Sequence, residues 1–560
     1  MAFAKSQSIL SQPSTPMNLF RLRPLWLLAG GLLLPACTQQ YSTDQVEAEA
    51  ATVYELPPQA APTDAAAPPV VNTESYARLP ENRFEDARQT PLSTFAIDVD
   101  PASYSNVRRF LTQNRQLPPP EAVRIEELIN YFHYDYPQPQ RPDAPATLNA
   151  EVARCPWNPA HQLVLVGVQG REVPTYALPP ANLVFLLDVS GSMQAEDKLP
   201  LLQASLRQLV HTLRPQDYVS IVVYAGAAGL VLPPTPGSRP QEILRALDGL
   251  EAGGSTAGGE GLRLAYQVAR QQARPGTNNR IILATDGDFN VGESSDAAME
   301  QLVTQERESG VFLSVLGFGE GNLQDSKMEV LADKGNGNYA YIDNLNEARR
   351  VLVQQFGGTL FTLAKDVKVQ VEFNPALVQQ YRLIGYENRL LAAEDFNDDR
   401  KDAGELGAGQ QVTALYEVVP ANALATGSLP ATDPLKYQSA QPGYGPARAD
   451  HSAELLTVKL RYQAPQGSTS QLLSLPVLSS AAPVEQASDN LRLAAAVAQF
   501  GMLLRQSDYR GTASFGAARS LAAGASRRDQ DGAKAEFLQL LDAAQSLSTE
   551  SAASPDYRRY

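Results

Sequence analysis

Residues 183–193 read LVFLLDVSGSM. The first five, Leu183-Val184-Phe185-Leu186-Leu187, form an unbroken apolar run with no helical stripe, the pattern of a strand buried on both faces of a parallel sheet. Polar chemistry starts at once after it. Asp188, Ser190 and Ser192 take alternate positions as the chain turns off the strand end, so a carboxylate and two hydroxyls can converge above the sheet. Three hard oxygen groups at the carboxyl edge of a parallel strand suit a small hard cation such as Mg2+, which keeps several waters and takes few protein ligands. The same residues also fit a plain strand-to-helix turn in which Ser190 or Ser192 caps the next helix.

Two later stretches favour the cation. GGSTAGG at 253–259 is a glycine-rich loop ahead of a helical segment and offers the hydroxyls of Ser255 and Thr256. RIILATDGD at 280–288 is a second buried strand that ends in a carboxylate, Asp286. Together the three stretches resemble the metal-ion-dependent adhesion site of the von Willebrand factor type A (VWA) domain. The resemblance implies that Ser190, Ser192 and Thr256 are direct metal ligands, and that Asp188 and Asp286 hold the ion directly or through water. It also implies an open coordination position for an acidic group of a partner. Mg2+ or Mn2+ is the ion expected, with Ca2+ less suited. Asp288 reads as a solvated loop carboxylate.

Length and composition bound the rest. A chain of 560 residues holds more than one domain and has ample apolar content for real cores. Its net charge of −15, with no basic cluster, argues against a nucleic-acid partner. Two cysteines, Cys37 and Cys155, make no disulfide framework, and Cys155 reads as a small buried apolar residue. Four scattered histidines with no His-x-x-x-His argue against a catalytic zinc, and His211 reads as a surface residue of a helix.

In chain order, Arg21 and Arg23 precede a Leu-rich apolar run too short to span a bilayer. It ends in Leu34-Pro35-Ala36-Cys37, which resembles a bacterial lipoprotein signal and implies Cys37 as an acylated N-terminus after cleavage. Met17 would give a more compact leader than Met1. Thr38 is not the aspartate that favours inner-membrane retention, so the expected location is the cell envelope, anchored by lipid in the outer membrane. Residues 38–80 are rich in Ala, Pro, Thr and Gln, a tether unable to bury enough surface to fold.

Residues 81–147 read as an N-terminal α/β segment, with a strand over 91–100 and helices over 103–114 and 121–131. Asp98-Val99-Asp100 is compatible with an aspartyl-nucleophile phosphatase motif, a remote enzyme alternative centred on Asp98; the reading adopted makes both carboxylates a turn and an N-cap. Residues 148–180 alternate apolar and polar positions, as in QLVLVGV at 162–168, and 362–485 return to alternation, so both are read as parts of one β-sandwich. Between them, 181–361 alternates strands (218–224, 281–285, 311–317, 338–342) with helices (199–213, 241–250, 261–273, 295–309, 345–356), and a short strand at 229–232 pairs antiparallel at an edge. The acidic run EDFNDD at 394–399 lacks EF-hand spacing and reads as an exposed loop, as does 421–450. Residues 486–550 form a C-terminal helical domain.

The runs STF-IDVD-ASY, EELINYF and FGMLLR, at 93–104, 126–132 and 500–505, resemble those of bacterial VWA lipoproteins of the YfbK type, and the resemblance covers 82–547. The expected fold is therefore α/β: a doubly wound, mostly parallel, Rossmann-like VWA sheet inserted in a β-sandwich, with small helical N- and C-terminal regions. The expected function is a non-enzymatic, envelope-anchored module that captures a partner carboxylate through a divalent metal. The alternative is a structural component of an envelope complex in which the metal serves stability.

Overall fold

The computed structural model describes residues 72–553, apart from 142, 255–257, 275, 288–295, 356–357, 359–360, 400, 402, 422–452, 466, 481, 526–528 and 530. Cys37 and the leader, most of the tether, Thr256, Asp288 and the loop at 422–450 lie outside the described residues.

The apolar run opens the central sheet as expected. Ala181–Asp188 is a strand, and Leu183 to Leu187 are fully buried between helical layers. Six strands lie in the order Tyr339–Ile342, Val311–Phe318, Asn278–Thr285, Ala181–Asp188, Tyr218–Tyr224, Ala228–Pro236. All neighbours are parallel except the last pair, where Ala228–Pro236 runs antiparallel at the edge. The sheet is covered on both faces, as an all-parallel core requires. Leu202, Leu206 and Leu209 of Leu199–Val210 and Ile243 and Leu247 of Pro240–Asp248 fill one side; Leu262, Tyr266 and Val303, with Met328 and Leu331, fill the other. The chain leaves Ala181–Asp188 for the strand on one side and returns to Asn278–Thr285 on the other. That reversal of strand order opens a crevice at the carboxyl ends, between Asp188 and Asp286, where α/β sheets place their ligands.

The central domain interrupts a two-sheet sandwich. One sheet has the order Glu85–Asp86, Val378–Ile384, Gln411–Pro420, Gln162–Gly170, Ala146–Arg154, and the other Leu390–Leu391, Leu92–Ala96, Thr362–Phe373, Glu454–Gln463, Ser470–Leu478, all antiparallel. Their alternating apolar positions, among them Val164, Val166, Val369, Val371, Tyr416 and Val458, meet in one core. The strand expected in the 81–147 segment belongs to this sandwich: Phe95 is in register with Val369.

Helices Ala102–Thr112 and Ile125–Asn130 pack with Asp489–Leu504, Phe515–Gly524 and Ala533–Ala553 into a further core on the sandwich's outer face. Ser488 and Ser514 cap two of these helices with their hydroxyls, accepting from the N–H groups of Leu491 and Ala517.

Buried charge links the layers. Glu387 meets Arg505 of the helical layer at 3.0 Å, with Glu126 and Glu81 close by. Burial, reinforced by Glu126, pushes the Glu387 carboxyl up to about 7. A carboxyl raised from its unfolded value of 4.5 binds its proton more tightly in the fold. The stability this confers is complete below pH 4.5 and is lost as the pH rises through about 7. Between pH 5 and 8 the melting temperature is expected to fall by a few degrees, with Glu387→Gln flattening that slope in thermal melts across pH.

Candidate metal centre

The site grows from the end of Ala181–Asp188. Asp188 is fully buried, and its Oδ1 accepts the backbone N–H of Ser190 at 2.9 Å, which folds the chain back over the strand end. Its Oδ2 accepts the hydroxyls of Tyr224 and Thr285, each at 3.2 Å, from the two flanking strands. The Ser190 and Ser192 hydroxyls lie 3.0 Å apart, Ser190 buried and Ser192 exposed. Neither serine caps a helix through its side chain: the turn they begin is Gly191–Gln194, which has no side-chain cap. Both hydroxyls are therefore left for other work.

The glycine-rich loop is tied to this turn through its backbone. Gly191 N–H donates to the carbonyl of Gly254 at 3.1 Å and Gly253 N–H to that of Val189 at 2.8 Å. These bonds hold Gly253 and Gly254 beside the turn that carries the two serines.

Asp286, fully buried, closes the site from the neighbouring strand. The chain turns sharply after it at Gly287, whose φ of +106° and whose position, with an added Cβ only 2.6 Å from the Asn322 carbonyl, admit no side chain. Lys198 reaches over to Asp286, its Nζ 2.8 Å from Oδ2 and 3.0 Å from Oδ1 of Asn322. Lys198, Asn322, Tyr224 and Thr285 are site residues that sequence reading missed. Lys198 stands in a polar run, EDKLP, that reads as a plain loop, and Asn322 in a segment with no periodicity.

The two carboxylates differ in their electrostatics. Burial, together with the like charge of Asp286, pushes Asp188 up to about 6 against the bonds it accepts from Ser190 and Thr285. Burial also acts on Asp286, but Lys198, Asn322 and the Ser192 hydroxyl outweigh it and hold this carboxyl below its ordinary range. Two buried carboxylates against one ammonium leave the crevice short of positive charge. Hard oxygen donors from Asp188, Ser190, Ser192 and Asp286 around such a deficit fit a small divalent cation. Among the described residues no group of three or more His, Cys, Asp or Glu could hold a metal, so an ion here depends on hydroxyl ligands.

The loop bearing Asn322 is itself strapped down. Thr73 and Ser75 donate their N–H groups to the carbonyls of Gly321 and Leu323, at 2.7 and 2.9 Å. Glu74 lies between them on Arg109, at 2.7 and 2.8 Å, and also accepts the Gly321 N–H. Residues 73–75, within the 38–80 stretch expected to be a tether, are thus folded against the protein one residue from Asn322, because Glu74 finds a buried partner in Arg109.

Asp98 and Asp100 do not make the turn and helix cap expected of them. Pro101 precedes the first helix with no side-chain cap, and Ser103 N–H is satisfied instead by Glu127 at 2.7 Å. Asp100 Oδ1 takes the Tyr339 N–H at 2.8 Å, a donor that the edge strand Tyr339–Ile342 leaves unpaired. Asp98 pairs with Arg389 at 3.5 Å. In the acidic 394–399 run, Asp399 is taken by Arg461 at 2.9 Å and by the Ser470 hydroxyl at 2.5 Å.

A six-stranded, doubly covered sheet with this strand order is that of a von Willebrand factor type A domain protein. The VWA family model matches residues 182–355, a model described as von Willebrand factor matches 70–165, and one described as uncharacterized protein YfbK, C-terminal, matches 358–547. The uncharacterized protein YfbK of Escherichia coli (strain K12) is 43% identical over 518 residues, covering 91% of this chain and 88% of that protein. The chain belongs to the YfbK family of bacterial VWA proteins. Human inter-alpha-trypsin inhibitor heavy chain H3 is 28% identical over 43% of this chain and 28% of its own length. Among solved structures, a von Willebrand factor type A protein from Catenulispora acidiphila is 16% identical, with a TM-score of 0.39 over 70% of this chain and 88% of its own.

Proposed function

We propose that the protein is an envelope-anchored binding module whose VWA domain holds Mg2+ or Mn2+ and uses it to capture a carboxylate of a partner protein. The observation that carries this reading is the convergence of Asp188, Ser190, Ser192 and Asp286 at the strand-order reversal, with both serine hydroxyls free of capping duty. Ser190 and Ser192, with Thr256, would ligate the ion, and Asp188 and Asp286 would hold it directly or through water. An ion held mostly by neutral hydroxyls keeps much of its charge, so its coordination favours one further anionic ligand. That ligand would be a Glu or Asp side chain of the partner. The lipoprotein-like Leu34-Pro35-Ala36-Cys37 and the Ala/Pro-rich tether support presentation from the outer membrane.

In affinity capture from solubilised envelope fractions, the full chain is expected to retain a partner in Mg2+ and to release it in EDTA. Asp188→Ala is expected to lose the partner while keeping the parent's circular dichroism. Capture that persists in EDTA or in a folded Asp188→Ala protein contradicts the reading and favours a structural role.

A further inference from the structure

A second cavity, of about 350 Å3, lies at the opposite end of the parallel sheet, where the central domain meets the sandwich. Arg280 lines it, in register with Leu183 of the central strand. Asp188 lies five residues further along, roughly 16 Å away. The cavity wall also includes Arg307, Lys334 and Asn338 of the central domain and, on the sandwich side, Glu405 and the ion pair of Asp98 with Arg389.

Arg280 is 4% exposed, and it donates from Nη1 to the Ser314 hydroxyl at 2.6 Å. Among the described residues its Nε has no hydrogen-bond partner and no carboxylate forms an ion pair with it. The four other arginines buried among the described residues all rest on carboxylates: Arg108 on Asp343 and Glu347, Arg109 on Glu74, Arg124 on Asp325, Arg382 on Glu417. Arg280 has the ring of Phe312, 5.8 Å from its guanidinium carbon, and the more distant charge of Glu405, and burial pushes its guanidinium down to about 10. A guanidinium taken out of water without an anion is destabilising, and it faces a cavity large enough for roughly a dozen water-sized groups. An anion is the missing partner. Glu405 across the cavity repels a polyanion but accepts a donor group, while Asp98 is held by Arg389.

We infer that this cavity binds a small monocarboxylate that also carries an ammonium or hydroxyl, an amino acid or a short peptide end. Arg280 takes the carboxylate in its planar fork, and Glu405 takes the donor end. The site is separate from the metal centre, so the two can fail independently.

The test is thermal shift and calorimetry on the full chain at fixed ionic strength, with glycine, glycylglycine, acetate and inorganic phosphate as probes. Glycine or glycylglycine is expected to raise the melting temperature more than acetate or phosphate does, and the better of the two separates a free amino acid from a peptide end. Arg280→Met is expected to abolish the shift. Glu405→Gln, which leaves Arg280 in place, is expected to narrow the preference for glycine over acetate at least several-fold. The inference is overturned if neither glycine nor glycylglycine shifts the parent, if phosphate or acetate shifts it more, if Arg280→Met keeps the shift, or if Glu405→Gln leaves the preference intact.

Discussion

Arg124→Ala is expected to cost about 3–5 kcal/mol of stability, because it strips the cation from a buried cluster of carboxylates. Arg124 is 2% exposed and stands between the N-terminal helices and the central domain. It bonds Glu127 through Nε, meets Asp325 at 2.5 Å and has Glu329 at 3.7 Å. Asp325 is completely buried and also accepts the Tyr339 hydroxyl at 3.0 Å. Without Arg124, Glu127 and Asp325 would have to be protonated or hydrated in place. The loss should appear in urea unfolding as a lower midpoint. A variant as stable as the parent would show that water reaches the cluster freely.

Glu417→Ala is expected to be comparably costly, about 3–5 kcal/mol, on the other side of the sandwich. Glu417, 2% exposed, accepts from Arg382 at 3.1 Å, Trp157 Nε1 at 3.0 Å and His161 Nδ1 at 2.6 Å. Burial opposes its ionisation, but His161, Arg382 and Trp157 prevail and hold the carboxyl below its ordinary range. Its contribution is therefore present above the ordinary carboxylate range and is lost on acidification, opposite in sign to that of Glu387. Arg382 stacks on Tyr509 of the helical layer at 4.3 Å, so its release should loosen the docking of that layer first. Hydrogen exchange in Asp489–Leu504 is the measurement, with Glu417→Gln milder because an amide oxygen still serves Trp157.

Much of this architecture was legible because its pattern is local. Leu183 to Leu187 and Ile281 to Ala284 are continuous apolar runs, and Val367 to Phe373 alternates, so each strand carries its own period. Asp188, Ser190, Ser192 and Asp286 were legible as a group because each follows closely on an apolar strand run. Helix Asp325–Lys334 was missed. Its buried face includes Asp325 and Glu329, which read as solvent-facing until Arg124 and Arg389 arrive from distant segments to neutralise them. The same holds for Lys198 at Asp286 and Asp100 at Tyr339: each is fixed by a partner more than eighty residues away, and no spacing announces it. The burial of Arg280 away from the described carboxylates is likewise invisible at the start of an ordinary strand.

Calorimetric titration of Mg2+ and Mn2+ into the chain from Thr38 onward, beside Asp188→Ala and Thr256→Ala, tests the metal centre most directly. Saturable binding in the parent, lost in both variants with their melting curves intact, is the result expected. Binding that both folded variants retain, or none in a folded parent even with an added carboxylate, would contradict it.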